Sequence, residues 1–351
     1  MLDVLLDLRL ASYRGGGIAR YARELHAALA SLPDIHVTAL RTRRDATTDA
    51  TALRIRTPPH HRLESWSIPI EIGFSRNRYD MFHATDFIAP HVRGVPSVAT
   101  VHDLAYIDWP DDLAPDALRY YRQLERSKER TAAWIAPSEW TANSLVEHYR
   151  IPRDTIHVIP HGVPTDLYSQ TIVPRSDRGN YLLAVGTVEP RKRYDLLLDA
   201  LAIDPSLPRL IIAGATGWNA TATEHRLRSM QRVTRETGVS DERLRELYRT
   251  ALALVFPSRA EGFGLPALEA MASGTPVISS GGGALIEVTA TAALTVADPA
   301  PESWATAMRK LVDDPLCWQE LSDAGRDQAA LFSWQSSARL TAAVYHSIAR
   351  R

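Results

Sequence analysis

Short apolar runs alternate with amphipathic stretches along the first half of the chain. Residues 2–8 form the first run, a glycine-rich loop covers 11–17, and residues 18–31 carry apolar side chains at helical spacing. Further strand-like runs, with helical patterns between several of them, lie at 36–40, 80–84, 97–101, 134–136 and 156–159. This alternation predicts an α/β domain with a doubly wound parallel sheet.

The same alternation returns in the second half. Leu167 to Asn180 lacks clear periodicity and is rich in turn-forming residues, so we interpret it as a linker between domains. Beyond it the pattern predicts a helix at 194–202 and strands at 181–185, 210–213, 233–236, 253–256 and 276–278. We therefore predict two domains, residues 1–168 and 169–333, both of ordinary size for a chain of 351 residues.

The composition is that of a globular protein, and it excludes several other classes of protein. Hydrophobic residues make up 45% and charged residues 23%, and the formal net charge of -1 gives no electrostatic case for nucleic acid. The single cysteine, Cys317, excludes an internal disulfide framework and a thiolate metal cluster, and it favours a reducing compartment such as the cytoplasm. Residues 1–17 resemble a buried first strand more than a signal peptide, and no apolar run is long enough to span a membrane.

The clearest chemical signal is the segment EGFGLPALEAMASGTPVISS, which starts at Glu261. It follows a strand-like run and predicts a glycine loop and a short helix, with Gly264 allowing a tight backbone path and Pro266 in the first helical turn. The backbone N–H groups at such a helix start suit a phosphate. A carboxylate near a diphosphate is repelled unless it accepts hydrogen bonds from nearby hydroxyls. We therefore predict that Glu261 and Glu269, which flank the loop, accept hydrogen bonds from the hydroxyls of a sugar and a ribose.

With seven residues between its two glutamates, this segment resembles the signature of the retaining glycosyltransferases of family four. The resemblance implies a GT-B fold, in which two Rossmann-like doubly wound parallel-sheet domains face each other across a cleft and a helix at about 334–351 packs back on the first domain. It implies that Glu261 meets the transferred sugar and Glu269 the ribose. The donor-binding residues that it implies in the loop are Phe263, Gly264 and Leu265. The alternative is two ordinary glutamates at a helix start, where acids favour the dipole.

A second signal is the basic loop GTVEPRKR between a predicted strand and a predicted helix. Cations at a helix start oppose the dipole, so Arg191, Lys192 and Arg193 indicate a nearby anion. The resemblance assigns Lys192 to the donor diphosphate. Thr187, also placed at the donor, stands where many members of the family have an arginine, and we expect Arg191 to replace that arginine. The alternative is a solvated basic turn.

Polar residues follow several strands of the first domain, at the edge where doubly wound sheets bind ligands. The resemblance places His102 beside the donor sugar and brings the loop at Gly16 and Gly17 close to the donor phosphates and the acceptor. In the second domain it places Val239 beside the nucleobase. The residues expected on the acceptor side are His83, Asp103 and His161. The alternatives are a flexible glycine turn and histidines with purely structural contacts.

Together these features predict a hexosyltransferase that moves a sugar from a nucleotide diphosphate donor to a hydroxyl of a glycan or lipid-linked glycan, with retention of configuration. HDL at residues 102–104 and EPRK at 189–192 resemble members that use GDP-mannose, so mannose is the expected sugar. No cofactor is expected beyond the nucleotide sugar as co-substrate, and no metal, because the basic loop would replace the cation. The alternatives are an epimerase or hydrolase on the same fold and a non-catalytic partner protein. An NAD-dependent oxidoreductase is disfavoured because the glycine fingerprint is missing.

Basic and aromatic residues gather in a less regular part of the first domain. They are Arg41, Arg43, Arg44, Arg54, Arg56, His60, His61, Arg62 and Trp66. Such a surface fits a peripheral contact with anionic lipid at the inner face of the membrane, where a lipid-linked acceptor would lie. The alternative is a solvated loop region with ordinary arginines.

Overall fold

The chain forms two compact units in a computed structural model, which describes residues 1–12, 16–75, 77–112, 121, 123–165, 167 and 171–350. The first unit contains Met1–Asp108, Pro115–Gly162 and Trp334–Arg351, and the second contains Trp109–Ala114 and Val163–Ser333. The chain therefore leaves the first unit twice and returns to it twice.

A parallel sheet of seven strands forms the centre of the first unit. The strands are β1 (Leu2–Asp7), β2 (Ile35–Thr42), β3 (Leu53–Ile55), β4 (Met81–Ala84), β5 (Ser97–Thr100), β6 (Thr131–Ala136) and β7 (Ile156–Val158). Their spatial order is β3-β2-β1-β4-β5-β6-β7, with Val4 of β1 beside both Val37 and Met81. The order reverses between β1 and β4, which is the switch point at which doubly wound sheets bind ligands.

Helices cover the faces of this sheet. They are α1 (Gly17–Ala30), α2 (Glu64–Gly73), α3 (Ala105–Asp108), α4 (Gln123–Ser127), α5 (Glu139–Tyr149) and the C-terminal helix (Trp334–Ala349). The C-terminal helix packs against α1 and β6, and the hydroxyl of Tyr345 hydrogen-bonds to His83 Nδ1 at 2.5 Å. The last helix of the sequence therefore belongs to the first unit.

The second unit repeats this architecture with a parallel sheet of six strands. The strands are β8 (Tyr181–Val185), β9 (Arg209–Ala213), β10 (Val233–Glu236), β11 (Ala253–Phe256), β12 (Val277–Ser279) and β13 (Leu294–Thr295). They lie in the order β10-β9-β8-β11-β12-β13, so the switch point falls between β8 and β11.

The helices of the second unit complete its core. They are α6 (Tyr194–Ile203), α7 (Thr221–Ser229), α8 (Asp241–Thr250), α9 (Leu265–Ala272), α10 (Leu285–Thr289), α11 (Pro301–Asp313) and α12 (Pro315–Ala329). Trp304 of α11 and Trp318 of α12 are both 1% exposed and pack with the buried residues of β8, β9 and β11. Trp318 Nε1 donates a hydrogen bond to the carbonyl of Leu252 at 2.7 Å, which satisfies the buried indole.

Among the elements that were not predicted from the sequence are β3, β13 and α2. The two strands span only three and two residues, too few to show an alternating pattern. α2 contains Pro69 and leaves Trp66 and Ile70 exposed, so its residues do not show the usual pattern of a helix with one buried apolar face. Among the described residues, no helix is both long and apolar enough to cross a membrane.

Candidate functional site

The loop that carries Glu261 joins β11 to α9 and is fixed on both sides of the glutamate. Glu261 forms an isolated parallel bridge with Gly283, and the N–H of Ala284 donates to the carbonyl of Glu261 at 2.8 Å. Gly264, which caps α9, has a φ of 104°, and a Cβ there would lie 2.5 Å from Leu285 Cδ2. Both the backbone angle and the lack of space require glycine at this turn.

Glu261 lies between two cations from the basic loop. Its Oε1 accepts a hydrogen bond from Lys192 Nζ at 2.5 Å, and its Oε2 accepts one from Arg191 Nη1 at 3.0 Å. Arg191 also donates to Glu189 Oε1 at 2.9 Å and to the carbonyl of Ala260 at 2.7 Å. Lys192 and Glu261 are each only 7% exposed. The loops after β8 and β11 thus meet in a buried network of charge-assisted hydrogen bonds.

The two cations keep Glu261 ionised. Burial raises the pKa of its carboxyl, but the charges of Lys192 and Arg191 outweigh burial and lower the pKa from 4.5 to about 2. Glu261 is therefore a carboxylate at neutral pH, with each oxygen already engaged by a cation. Such a group accepts a further hydrogen bond from a hydroxyl more readily than it attacks carbon.

The basic loop is not a solvated turn, which excludes that alternative for Lys192. A short 3₁₀ helix at Pro190–Lys192 is followed by Arg193 at a φ of 50°, and α6 begins directly after it. The anion that the sequence indicated at this loop includes a protein carboxylate, that of Glu261. Thr187 is half-buried in the same loop, while Arg191 supplies the guanidinium that reaches Glu261.

The other side chains predicted at the donor lie inside the second unit. Glu269 on α9 is 3% exposed, Leu265 is 7% exposed and Phe263 is 5% exposed. The Phe263 ring packs edge-on against Phe332 with 5.8 Å between the centroids. Because these side chains are so buried, a ligand at this edge would meet mainly the edges of the two carboxylates and the backbone at Gly264 and Leu265. Further along the first turn of α9, Pro266 has no N–H, and Ala267 and Leu268 donate to the carbonyl of Gly264.

A buried arginine holds the opposite end of α9. Arg178 donates to the carbonyls of Gly274 at 2.9 Å, Ser273 at 3.4 Å and Ala251 at 2.9 Å, and to Thr275 Oγ1 at 2.5 Å. Burial lowers its pKa to about 10, so it is still a cation at neutral pH. A cation at a helix C-terminus favours the helix dipole, and here it also anchors the helix whose first turn carries the glycine loop.

Arg259 lies two residues before Glu261 and contacts the segment 109–112, which belongs to the same unit. Its guanidinium is 5.4 Å from the centroid of the Trp109 ring and 3.6 Å from Asp112 Oδ2. Its backbone N–H donates to the carbonyl of Arg191 at 2.8 Å. A segment distant in sequence therefore rests beside the loop that supplies the cations of the site.

Val239, expected beside the nucleobase, lies half-buried in the turn between β10 and α8. Gly238 in this turn has a φ of 65°. Ser240 caps α8, with its Oγ accepting a hydrogen bond from the N–H of Arg243 at 3.1 Å. The turn thus has a fixed backbone, and its role at the nucleobase stays a prediction.

The glycine loop of the first unit ends in an open backbone position. Gly16 caps α1 with a φ of 139°, a conformation that side chains with a Cβ rarely adopt, and α1 starts at Gly17. A Cβ built on Gly16 would meet no atom of the described chain within 4 Å. The expected approach of this loop to the donor phosphates stays a prediction.

His83 is a core residue. It is fully buried, and its ring hydrogen-bonds to the hydroxyl of Tyr345 through Nδ1 at 2.5 Å and to Thr100 Oγ1 through Nε2 at 2.8 Å. Burial lowers its pKa to about 3, so the ring is neutral. The structure therefore does not support the expected acceptor-side role of His83, because this histidine joins the C-terminal helix to the sheet and has no exposed atom.

His102 and His161 lie side by side after β5 and β7. The Nε2 of His102 donates to the carbonyl of Thr85 at 2.9 Å, and burial lowers the pKa of both rings. A neutral ring carries one N–H, so Nδ1 of His102 accepts the hydrogen bond from His161 Nε2 at 3.3 Å. His102 is half-buried and His161 is 3% exposed, so we expect His102 to face a ligand and His161 to orient it.

Two carboxyls lie at the same edge, and sequence reasoning identified only one of them. Asp103 Oδ1 accepts a hydrogen bond from the N–H of Ala105 at 3.2 Å. Asp86, which the sequence analysis missed, follows β4, and its Oδ2 lies 3.8 Å from His60 Nε2. Burial and the neighbouring acids, Glu64 first among them, raise the pKa of Asp86 to about 7. The signal in the sequence was its position two residues after a strand at the ligand-binding edge. A carboxyl that titrates near neutral pH in such a place is a functional candidate.

Two family models match this chain. Residues 15–167 match the model described as Glycosyltransferase Family 4, and residues 170–329 match the one described as Glycosyl transferases group 1. Together the two matches include the glycine loop, the histidine edge, the basic loop and both glutamates of the motif.

This chain is also similar to individual proteins. The O-antigen chain mannosyltransferase B of Escherichia coli is 32% identical over 315 residues, which cover 82% of this chain and 77% of that protein. The MMP alpha-(1->4)-mannosyltransferase of Mycolicibacterium hassiacum is 32% identical over 312 residues, which cover 79% and 72%. The crystal structure of Anabaena HepE in complex with UDP and glucose has a TM-score of 0.76, covering 99% of this chain and 100% of that one at 17% identity. At that identity, the structural likeness shows a shared fold.

Proposed function

Because this chain belongs to glycosyltransferase family four and has the GT-B fold, it is a glycosyltransferase, and we propose that it transfers mannose from GDP-mannose to a hydroxyl acceptor with retention of configuration. The observation that carries the proposal is the ionised Glu261 held between Lys192 and Arg191 at the start of α9. The reaction needs a hydrogen-bond acceptor for sugar hydroxyls beside a binding site for a diphosphate. Glu261 supplies the hydrogen-bond acceptor, and Lys192 and Arg191 supply the cations of the diphosphate site.

The cations and the helix start are suited to the leaving diphosphate. Lys192 and Arg191 are held in place by Glu261. At the start of α9, Pro266 has no N–H and the N–H groups of Ala267 and Leu268 donate to the carbonyl of Gly264, so the N–H groups of Gly264 and Leu265 are assigned to the diphosphate. Donors that are already oriented stabilise negative charge as it develops, without reorganisation during the reaction. Glu269 is assigned to the ribose hydroxyls of the donor.

Retention follows, in this proposal, from attack on the side of the leaving group. The acceptor hydroxyl forms its bond to the anomeric carbon as the bond to the diphosphate breaks, and its proton passes to the departing phosphate oxygen. Glu261 takes no covalent part, because both its oxygens are engaged by cations and its pKa is lowered to about 2. The scheme contains no metal: Lys192 and Arg191, which also pair with Glu261 and Glu189, are assigned to the charge of the diphosphate.

The identity of donor and acceptor is drawn from the relatives. Two relatives that are each 32% identical carry the name mannosyltransferase, and the name of one of them refers to the O-antigen chain. We therefore assign mannose as the transferred sugar and a glycan or lipid-linked glycan as acceptor, whereas GDP as its carrier rests on the resemblance of residues 102–104 and 189–192 to members that use GDP-mannose. His102 and Asp103 are assigned to the sugars at the edge of the first unit, with His161 orienting His102.

The donor is tested first by thermal shift with GDP, UDP, ADP and dTDP. A ligand that binds only the native state at 100 times its dissociation constant adds about 2.7 kcal/mol of stability, which is readily measured. We expect GDP to give the largest shift. Incubation with GDP-mannose and a mannan oligosaccharide, followed by NMR of the new linkage, then tests transfer and retention. A larger shift with another nucleotide would overturn the donor assignment. Release of free mannose at the same rate with and without acceptor would favour a hydrolase.

A further inference from the structure

A chain of hydrogen bonds crosses the core of the first unit from the C-terminal helix to α1. The hydroxyl of Tyr345 bonds to His83 Nδ1 at 2.5 Å, and His83 Nε2 bonds to Thr100 Oγ1 at 2.8 Å. Thr100 Oγ1 in turn bonds to the hydroxyl of Tyr21 on α1 at 2.8 Å. All four residues are at most 2% exposed. A buried polar network is stable only while each of its bonds is made, so this chain fixes Tyr21 in one position.

The ring of Tyr21 lies against both histidines of the candidate site. Its centroid is 4.8 Å from that of His102, with the two planes at 78°, and 4.6 Å from that of His161. Trp334 of the C-terminal helix stacks on His161, with 5.8 Å between the centroids and 22° between the planes. Edge-on and offset contacts at such distances are the favoured arrangements of aromatic rings. His102 is therefore packed against Tyr21, and His161 contacts both Tyr21 and Trp334.

Hydrogen bonds alone hold the His102 ring incompletely. Its Nε2 donates to the carbonyl of Thr85 at 2.9 Å, whereas the bond from His161 Nε2 to its Nδ1 is long, at 3.3 Å. An imidazole held firmly at one nitrogen can still rotate about that bond, so the Tyr21 ring supplies the second constraint on its plane. Thr100 ends β5 and His102 follows two residues later. Tyr21 thus contacts His102 with its ring while its hydroxyl is held at the end of the strand.

We propose that Tyr21 is a positioning residue for sugar transfer, because its ring holds the imidazole of His102 in the plane in which it meets the transferred sugar. Thr100, His83 and Tyr345 hold Tyr21 in turn. The proposal rests on the proposed function, since the orientation of His102 affects turnover only if His102 meets the sugar. It also assigns a task to His83, which has no exposed atom and so cannot meet a ligand itself.

Two substitutions of Tyr21 separate its hydroxyl from its ring. Tyr21→Phe keeps the ring and loses the bond to Thr100, so kcat for transfer from GDP-mannose to a mannan oligosaccharide should fall about fivefold. Tyr21→Leu removes the ring as well, and kcat should fall about 100-fold, because a small displacement of a group at the reacting centre is enough for such a loss. GDP affinity should stay unchanged in both variants, since the nucleotide is assigned to residues of the second unit.

A double-mutant cycle tests whether Tyr21 acts through His102. If it does, Tyr21→Leu/His102→Ala should have a kcat within about twofold of that of His102→Ala alone. Circular dichroism verifies that each variant is folded, and Tyr21→Phe replaces Tyr21→Leu in the cycle if the latter is not.

Tyr181→Phe is the matched control. It removes a tyrosine–threonine bond of the same length, 2.8 Å to Thr250 Oγ1, at the amino end of β8 in the second unit, and it should leave kcat unchanged. The inference is overturned if Tyr21→Phe and Tyr181→Phe transfer mannose equally fast. It is also overturned if the substitution of Tyr21 lowers kcat by the same factor with and without His102, since Tyr21 would then be a structural residue.

Histidine NMR separates this inference from the proposed function. Because Nε2 of His102 donates to the carbonyl of Thr85, proton–nitrogen spectra of the wild type should show His102 as a single Nε2–H tautomer, identified by its absence in His102→Ala. In Tyr21→Leu we expect a mixture of tautomers. A protein that transfers no mannose, but in which Tyr21→Leu mixes the tautomers, would remove the proposed function and leave the positioning of His102 standing. Transfer of mannose together with a single tautomer in Tyr21→Leu would do the reverse.

Discussion

Replacing Lys192 by methionine tests whether the ion cluster at Glu261 stabilises the second unit. The pKa of Glu261 falls from 4.5 to about 2 in spite of burial, which corresponds to roughly 3 kcal/mol in favour of the charged form. Breaking a buried pair by removing one partner costs about 3–5 kcal/mol when no other partner remains. Arg191 still donates to Glu261 in the variant, so we expect a loss of about 2–3 kcal/mol in the free energy of unfolding.

Urea denaturation followed by tryptophan fluorescence measures this loss, because Trp304 and Trp318 are buried in the second unit. Lys310→Met is the matched control, since Lys310 is exposed on α11 and should cost less than about 0.5 kcal/mol. The double variant Lys192→Met/Glu261→Gln should lose less than the sum of the single variants, by about 1–2 kcal/mol.

The pH dependence provides an independent check with a defined sign. A carboxyl whose pKa is lowered in the folded state contributes stability fully above its unfolded pKa and loses it as the pH falls through the folded pKa. The cost of Lys192→Met should therefore be constant above the unfolded pKa of 4.5 and shrink between 4.5 and about 2. A cost at neutral pH no greater than that of Lys310→Met would refute the stabilising role of the cluster.

Three further outcomes are expected. Glu269→Ala should weaken binding of nucleoside diphosphate by about 1–3 kcal/mol in calorimetry, because a ribose hydroxyl would lose a charged acceptor, whereas the exposed Glu320→Ala should leave affinity unchanged. Arg178→Met should lower the free energy of unfolding by about 3 kcal/mol, since several buried carbonyls lose their hydrogen-bond donor. Arg178→Lys should recover part of that loss. An unchanged urea midpoint in Arg178→Met would contradict the anchoring of α9. Transfer activity should survive a strong chelator, and activity restored only by added magnesium or manganese would show that the cations of the basic loop are insufficient.

The two sheets were predictable from the sequence because their strands are buried on both faces. Runs such as those of β1, β8 and β11 are almost purely apolar, and parallel sheets covered by helices require this. The short β3 and β13 and the helix α2 were not predictable, because a few residues show no period and α2 places large apolar side chains on its outer face.

The sequence indicated candidate residues for the site, but it could not show how they pair. The sequence indicated an anion beside Lys192, but it could not show that a carboxylate of the same chain lies 2.5 Å away, because the two residues are 69 positions apart. His83 was misjudged because a histidine at a strand end looks the same in sequence whether it faces solvent or the core. Asp86 was missed since its raised pKa depends on burial and on three nearby acids, both of which only the fold creates.

The second unit is not one continuous stretch of sequence, and this limits how the chain can be divided or recombined. A fragment from Val163 to Ser333 contains every strand of the second sheet yet leaves out Trp109 and Asp112, the residues against which Arg259 packs. Arg259 would then face water beside Arg191, whose carbonyl it holds through its own backbone. A chimaera that joins the two halves of related chains at the sequence midpoint, in order to exchange donor specificity, would separate the basic loop from the short segment that supports it. A chimaera that keeps residues 109–112 with the second unit should therefore retain a better-ordered basic loop.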